Sequence, residues 1–148
     1  MPTLPVRSGL AVAVVTLLAF GATGCSTGPV LGLLRQEQSD QDILTIRTDL
    51  DGVDLGSTRF LAQRDGVEYF AATPVPGSGS DAVCLLVEEG IGVGLECAPL
   101  ERGTAGATIR DSRVTAVLLP DDIDRDALRH EGFELLHRNL AIRPADAG

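Results

Sequence analysis

From about Thr58 to Ile142 the apolar positions fall into short alternating runs separated by turn residues. Residues 59–63 and 67–72 flank Arg64-Asp65-Gly66. Aspartate followed by glycine between two such runs predicts a hairpin, because glycine adopts positive φ without steric cost. The breaker-rich stretch 74–81 predicts a loop, and its prolines exclude a central strand there. Residues 83–88 and 91–97 form a second pair; with Gly90 and Ile91 as the turn, Cys84 falls opposite Cys97. Opposed Cα atoms in an antiparallel pair lie about 4.5–5.5 Å apart, within reach of a disulfide. Residues 107–110 and 114–119 make a third pair around Asp111-Ser112, ended by Pro120. A short helix over 124–131 follows, with Asp121 or Asp122 as its N-cap and Gly132 just past its end. Residues 133–136 and 140–142 read as short strands about Arg138-Asn139. The expected fold is mainly β (α+β): antiparallel hairpins with one or two short helices and one disulfide, Cys84–Cys97.

The first 25 residues follow another pattern. Arg7 is the only charge before an apolar run over 9–22, which is short of the roughly 20 residues that span a bilayer. A positive start, a short apolar centre and a small-residue exit predict a secretory signal. The same segment suits an ordinary cleaved signal or an uncleaved N-terminal anchor. Its exit, Ala22-Thr23-Gly24-Cys25, resembles the lipobox of bacterial lipoprotein precursors. That resemblance implies cleavage between Gly24 and Cys25 and a diacylglyceryl group on the Cys25 thiol. It also implies a membrane partner held through that lipid, on the extracytoplasmic face of the cell membrane. The organisation that follows is a signal peptide over 1–24, a lipid-anchored tether over 25–45, a β-rich extracytoplasmic domain over 46–143 and a tail over 144–148. The tether expectation rests on the polar stretch 35–42, which has no strand alternation. Just before it, Val30, Leu31, Leu33 and Leu34 suit one helical turn after Pro29 or an extended arm.

Charge narrows the partners. Twelve basic residues, all arginine, stand against 21 acidic ones, for a net charge of −9. Nucleic-acid binding needs clustered cations and is excluded, as is a polybasic contact with a membrane surface. The absence of lysine fits high-GC coding. Three cysteines leave one over in an exported chain, and lipidation of Cys25 accounts for it.

Catalytic chemistry is sparsely represented. His130 and His137 are the only imidazoles. No Gly-x-Ser-x-Gly elbow occurs, and Gly77-Ser78-Gly79-Ser80 sits within the breaker loop. A nucleophilic Cys84 or Cys97 would need a free thiolate, which a disulfide removes. The two histidines, seven apart, lack a zinc spacing. Asp122, Asp124 and Asp126 alternate like the start of a calcium loop. However, Ala127 stands where glycine is required and Phe133 where the bidentate glutamate belongs. Asp49, Asp51 and Asp54 form a similar acidic turn, so weak calcium binding stays open at both places. No catalytic residue, metal or cofactor is expected. Gly90, Gly92 and Gly94 alternate on one strand face, where they allow close approach by another chain segment. Tyr69 and Phe70, near the Pro/Gly loop, are a candidate partner surface, or else core.

The order of Arg59, Asp65-Gly66, Tyr69-Phe70, Val83-Cys84-Leu85-Leu86, Cys97 and Leu119-Pro120-Asp121 resembles small exported or membrane-tethered proteins of high-GC Gram-positive bacteria. This resemblance implies the β-rich body and the disulfide, and no activity. The functional expectation is a lipid-anchored extracytoplasmic module that binds an envelope protein or a small ligand without catalysis. The alternatives are a small-ligand or metal-binding accessory lipoprotein of a transport system, and a small hydrolase using His130 or His137.

Overall fold

Asp65 and Gly66 sit at φ 53° and 80°, and Arg64 pairs with Val67 across them. Two central residues at positive φ give a turn whose twist matches its strands. It joins β1 (Val53–Arg64) to β2 (Val67–Pro74). The structure is a computed structural model and describes residues 30–46, 50–78 and 81–145. Gly24, Cys25, the rest of the expected signal peptide and Asp49 lie outside the described residues.

β3 (Ala82–Glu89) and β4 (Gly92–Pro99) pair through Gly90-Ile91 in the expected register, with Cys84 opposite Cys97. The two cysteines form a disulfide, their Cα atoms 3.9 Å apart. The four strands make one antiparallel sheet in the order β1-β2-β3-β4. β5 (Thr108–Arg110), β6 (Val114–Leu118), β7 (Glu134–His137) and β8 (Leu140–Pro144) make the second, ordered β5-β6-β8-β7.

The helix α1 is shorter than expected, Arg125–His130, and neither Asp121 nor Asp122 caps it. Asp124 does, accepting from the N–H groups of Asp126 and Ala127. The two earlier aspartates are held elsewhere: Asp121 accepts from Gly32, and Asp122 from Gly103. Gly132, at φ 84°, ends the helix as expected. Gly132 N–H donates to Arg129 O and Phe133 N–H to Leu128 O, which closes a Schellman motif.

The sheets pack face to face. Tyr69, Ala71 and Leu85 of the first meet Ala116, Leu118, Leu140 and Ile142 of the second. The outer face of the second sheet, with Val117 and Ala141, is covered by Leu128 of α1. The outer face of the first, with Val53, Phe70, Ala72 and Leu86, lies under Leu44. Phe60 meets Phe70 edge-on, ring centroids 5.6 Å apart. Both faces of the central strand β2 are covered, whereas the edge strands β4 and β5 contain no fully buried residue. This overturns Tyr69 and Phe70 as a partner surface. They are 2% and 1% exposed, one on each face of β2. A strand covered on both sides buries consecutive residues, each of which stabilises by roughly 1.5–3 kcal/mol.

The tether reading also fails from Val30 onward, because that segment is docked. Leu31 is buried in the core, and Gly32–Arg35 forms a 3-10 turn. β1 loses its register with β2 between Asp54 and Arg59, and the polar residues of the arm take up the freed groups. Gln38 donates to Leu55 O and to Thr58 Oγ1. Asp42, buried, accepts from Ser39 N–H and Phe60 N–H. Buried Arg59 donates to Gln36 O, and buried Glu88 accepts from Thr45 and Ile46. Polar composition marked this stretch as solvated, whereas its side chains serve a broken strand edge.

Candidate binding cleft

Val114 pairs with Pro144 at one end of the second sheet, and Leu118 pairs with Leu140 at the other. The first of these ends also receives the tips of two hairpins from the facing sheet. Arg64, beside the Asp65-Gly66 turn, bonds Glu134 of β7 at 2.8 Å. Arg113, in the β5–β6 turn, bonds Glu89 of β3 at 2.5 Å. These two ion pairs bracket a cleft of about 210 Å³ between the sheets. Its walls are Val67, Val114, Ile142 and Pro144, and its charged rim is Arg64, Arg113, Arg143, Asp65 and Glu134. Arg143 lies over the Phe133 ring, 4.8 Å from its centroid.

Tyr69 also lines the cleft. Although the residue is 2% exposed, its hydroxyl makes no hydrogen bond among the described residues. Burial pushes its phenol above the ordinary 10.0. Asp111 adds to that push and Arg113 opposes it. The guanidiniums of Arg64 and Arg113 also keep N–H groups unused. Arg64 bonds through Nη1 and Arg113 through Nη2, which leaves Nη2 of the first and Nε and Nη1 of the second without an acceptor. The nearby aspartates lie farther off, Asp65 at 3.6 Å from Arg64 Nε and Asp111 at 3.7 Å from Arg113 Nη2. Larger, shallower hollows lie beside the 73–83 loop and beside Gly94 and Ile109. Neither has a buried polar side chain in its floor.

The other expected sites fall elsewhere. His130 Nδ1 lies 2.7 Å from Asp126 O, one turn back along its own helix. His137 is half-buried; its Nδ1 accepts from Asn139 N–H, so Nε2 carries the proton. Burial, with Arg138, holds His137 below its ordinary 6.5. Asp122, Asp124 and Asp126 diverge, toward Gly103 and Arg102, the helix N-terminus, and Arg129. Asp54 accepts from Gly56 N–H. Among the described residues no cluster of three metal-ligating side chains occurs. A Cβ on Gly94 would touch Ile109 Cδ1 at 3.8 Å, an ordinary contact, so close approach there is modest.

The cleft itself was missed by sequence reasoning. Arg64 and Arg113 stand at the tips of expected hairpins, and that was the available signal. Which tips meet depends on how the two sheets dock. No family model matches the chain, and neither a curated protein nor a solved structure is similar to it.

Proposed function

We propose that the protein is a lipid-anchored extracytoplasmic binding module, non-enzymatic, held to the cell membrane through Cys25 and presenting its cleft away from the lipid. The observation that carries this reading is the placement of the arm. Val30 O accepts from Asp121 N–H at 2.9 Å, and Gly32 N–H donates to Asp121 Oδ2 at 2.8 Å. Asp121 follows the Leu118 end of β6, whereas the cleft opens at the Val114 end. Strand geometry separates these ends by about 14 Å. Cys25 precedes Val30 by five residues, so the chain between them reaches at most about 18 Å. A lipid on Cys25 would attach the domain from its Asp121 end, the end opposite the cleft.

Binding is favoured over hydrolysis because the candidate chemical groups are already engaged. His130 and His137 are each bonded to neighbouring backbone, and two of the three cysteines form a bridge. The cleft favours a small ligand over an envelope protein, since it is concave and smaller than the roughly 300–1,000 Å³ typical of drug-sized ligands. The test is cell fractionation of the Cys25→Ala variant. The wild type is expected in the membrane fraction and the variant in the medium or as an unprocessed precursor. Wild-type membrane association of the variant would refute the anchor.

A further inference from the structure

Guanidiniums outnumber carboxylates in the lining of the cleft, Arg64, Arg113 and Arg143 against Asp65 and Glu134. The Tyr69 hydroxyl, Arg64 Nη2, and Arg113 Nε and Nη1 all offer protons, and none meets an acceptor among the described residues. Each acid in or beside the cleft lies against an arginine, Glu134 and Asp65 against Arg64 and Glu89 and Asp111 against Arg113. A cation would compete with those arginines for the acids, whereas an anion meets guanidinium N–H groups that face solvent. The remaining walls are apolar: Val67, Val114 and Ile142 come from both sheets. An inorganic anion would leave those walls unmatched, and a neutral apolar molecule would leave the donors so.

Building on the reading of this cleft as a binding site, we propose that its ligand is a small monocarboxylic acid with an apolar body. The carboxylate is received by Arg113, Arg64 and the Tyr69 hydroxyl, and the body rests on Val67, Val114 and Ile142. A planar fork of guanidinium donors suits a carboxylate, and such charge-assisted bonds are about twice as strong as neutral ones. The existing ion pairs hold both arginines in place beforehand, which lowers the ordering cost of binding.

The chain supplies its own probe. Tyr69 is the single tyrosine and tryptophan is absent, so ultraviolet-excited emission reports on the cleft. The experiment titrates the full-length protein, in a non-ionic detergent, with straight-chain acids from propionate to octanoate and with phenylacetate. The matching primary amides and inorganic phosphate are run alongside. Saturable change in Tyr69 emission is expected with at least one acid. The amide of the same body should bind at least about tenfold more weakly, the loss of a charged hydrogen bond. Arg113→Gln should weaken the best acid by about tenfold or more. Tyr69→Phe, read by calorimetry because the reporter is gone, should weaken it less. Arg113 is surface-exposed, so an unchanged thermal transition shows that the variant folds.

Equal affinity for acid and amide would overturn the ligand class while leaving the cleft a binding site. A response to phosphate with none to any acid would overturn it in favour of an inorganic anion. If no compound moves Tyr69 up to about 10 mM, well above a millimolar Kd, the cleft is not a small-ligand site. Release of Cys25→Ala from the membrane would still stand in that case, so the two failures are separable.

Discussion

The Arg138-Asn139 turn and the Asp65-Gly66 turn lie at opposite ends of the sandwich and treat buried polar atoms differently. At the first, Asn139 is 1% exposed and donates through Nδ2 to Leu119 O at 3.0 Å and Asp121 Oδ1 at 2.8 Å. Asp121 also accepts from Gly32 of the arm, and Arg125 donates to Arg138 O and Asp121 O. Only Asn139 Oδ1 stays without a partner. At the second, Tyr69 is 2% exposed, and its hydroxyl and the solvent-facing guanidiniums of Arg64 and Arg113 keep donors that meet no acceptor among the described residues. Packing drives both ends, since the same core cluster runs between them. The difference lies in what the polar atoms were placed to meet. Where they meet one another, they fix the arm to the sheet. Where they are left over, they face solvent at the cleft.

The largest test of this contrast is the disulfide, which ties the edge strand β4 to β3 near the closed end. Replacing both Cys84 and Cys97 by alanine opens a loop of about 14 residues and should cost about 3 kcal/mol in urea unfolding. The acid affinity of the cleft should be unchanged. A variant that stays folded but loses the ligand would show that the ends are coupled rather than independent.

Asn139→Ala comes next. It removes a buried donor to a carboxylate and one to a carbonyl, and should destabilise by about 2–3 kcal/mol. Emission from Tyr69 in the folded state should not change. A cost below about 0.5 kcal/mol would mean that water replaces the amide and that this end is not closed in the sense argued here.

Acid should act on the same end. Burial alone would raise the carboxyl of Asp121, but the Asn139 amide, Gly32 N–H, Arg138 and Arg125 outweigh it and hold the group below its ordinary 3.8. Asp42 behaves alike: burial is overcome by the hydrogen bonds from Ser39 and Phe60 and by Arg59. A carboxylate depressed in the folded state lends stability that is fully present above its unfolded value. That stability is lost as pH falls through the folded one. The arm should therefore stay docked above about pH 4 and loosen at lower pH. Limited pepsin digestion should cut first within the arm, around 36–46, before the strands yield. Cleavage of the β1–β2 hairpin first would reverse the order of the two ends.

What could be read in advance divides along the same line. Asp65-Gly66 and Gly90-Ile91 set two hairpins, and the register of the second put Cys84 against Cys97 directly. Those are local matters of turn chemistry and alternation. The arm was misread because Gln38, Ser39 and Asp42 look solvated until β1 breaks register and needs partners. The helix cap lies two or three residues beyond the expected one because four aspartates crowd 121–126, and local sequence does not say which is free to cap. Tyr69 and Phe70, near the Pro/Gly loop, suit either a partner surface or the core, and the covering of both faces of β2 decides for the core. The cleft depends on Arg64 meeting Glu134, 70 positions apart, which is a fact of sheet docking rather than of any local pattern.

The smallest expected effect discriminates best. A buried tyrosine hydroxyl with a partner contributes about 1 kcal/mol to stability, and its removal leaves that partner unsatisfied as well. The Tyr69 hydroxyl has no partner to lose, and the phenylalanine ring fills the same space. Tyr69→Phe should therefore change unfolding free energy by less than about 0.5 kcal/mol, of either sign, as followed by far-ultraviolet circular dichroism in urea. Placed beside Asn139→Ala, it compares two side chains of equal burial, one engaged and one not. A loss of more than about 1 kcal/mol would assign the hydroxyl a structural bond. The open end would then be closed after all, and the cleft would lose the donor that most sharply distinguishes it from an ordinary gap between sheets.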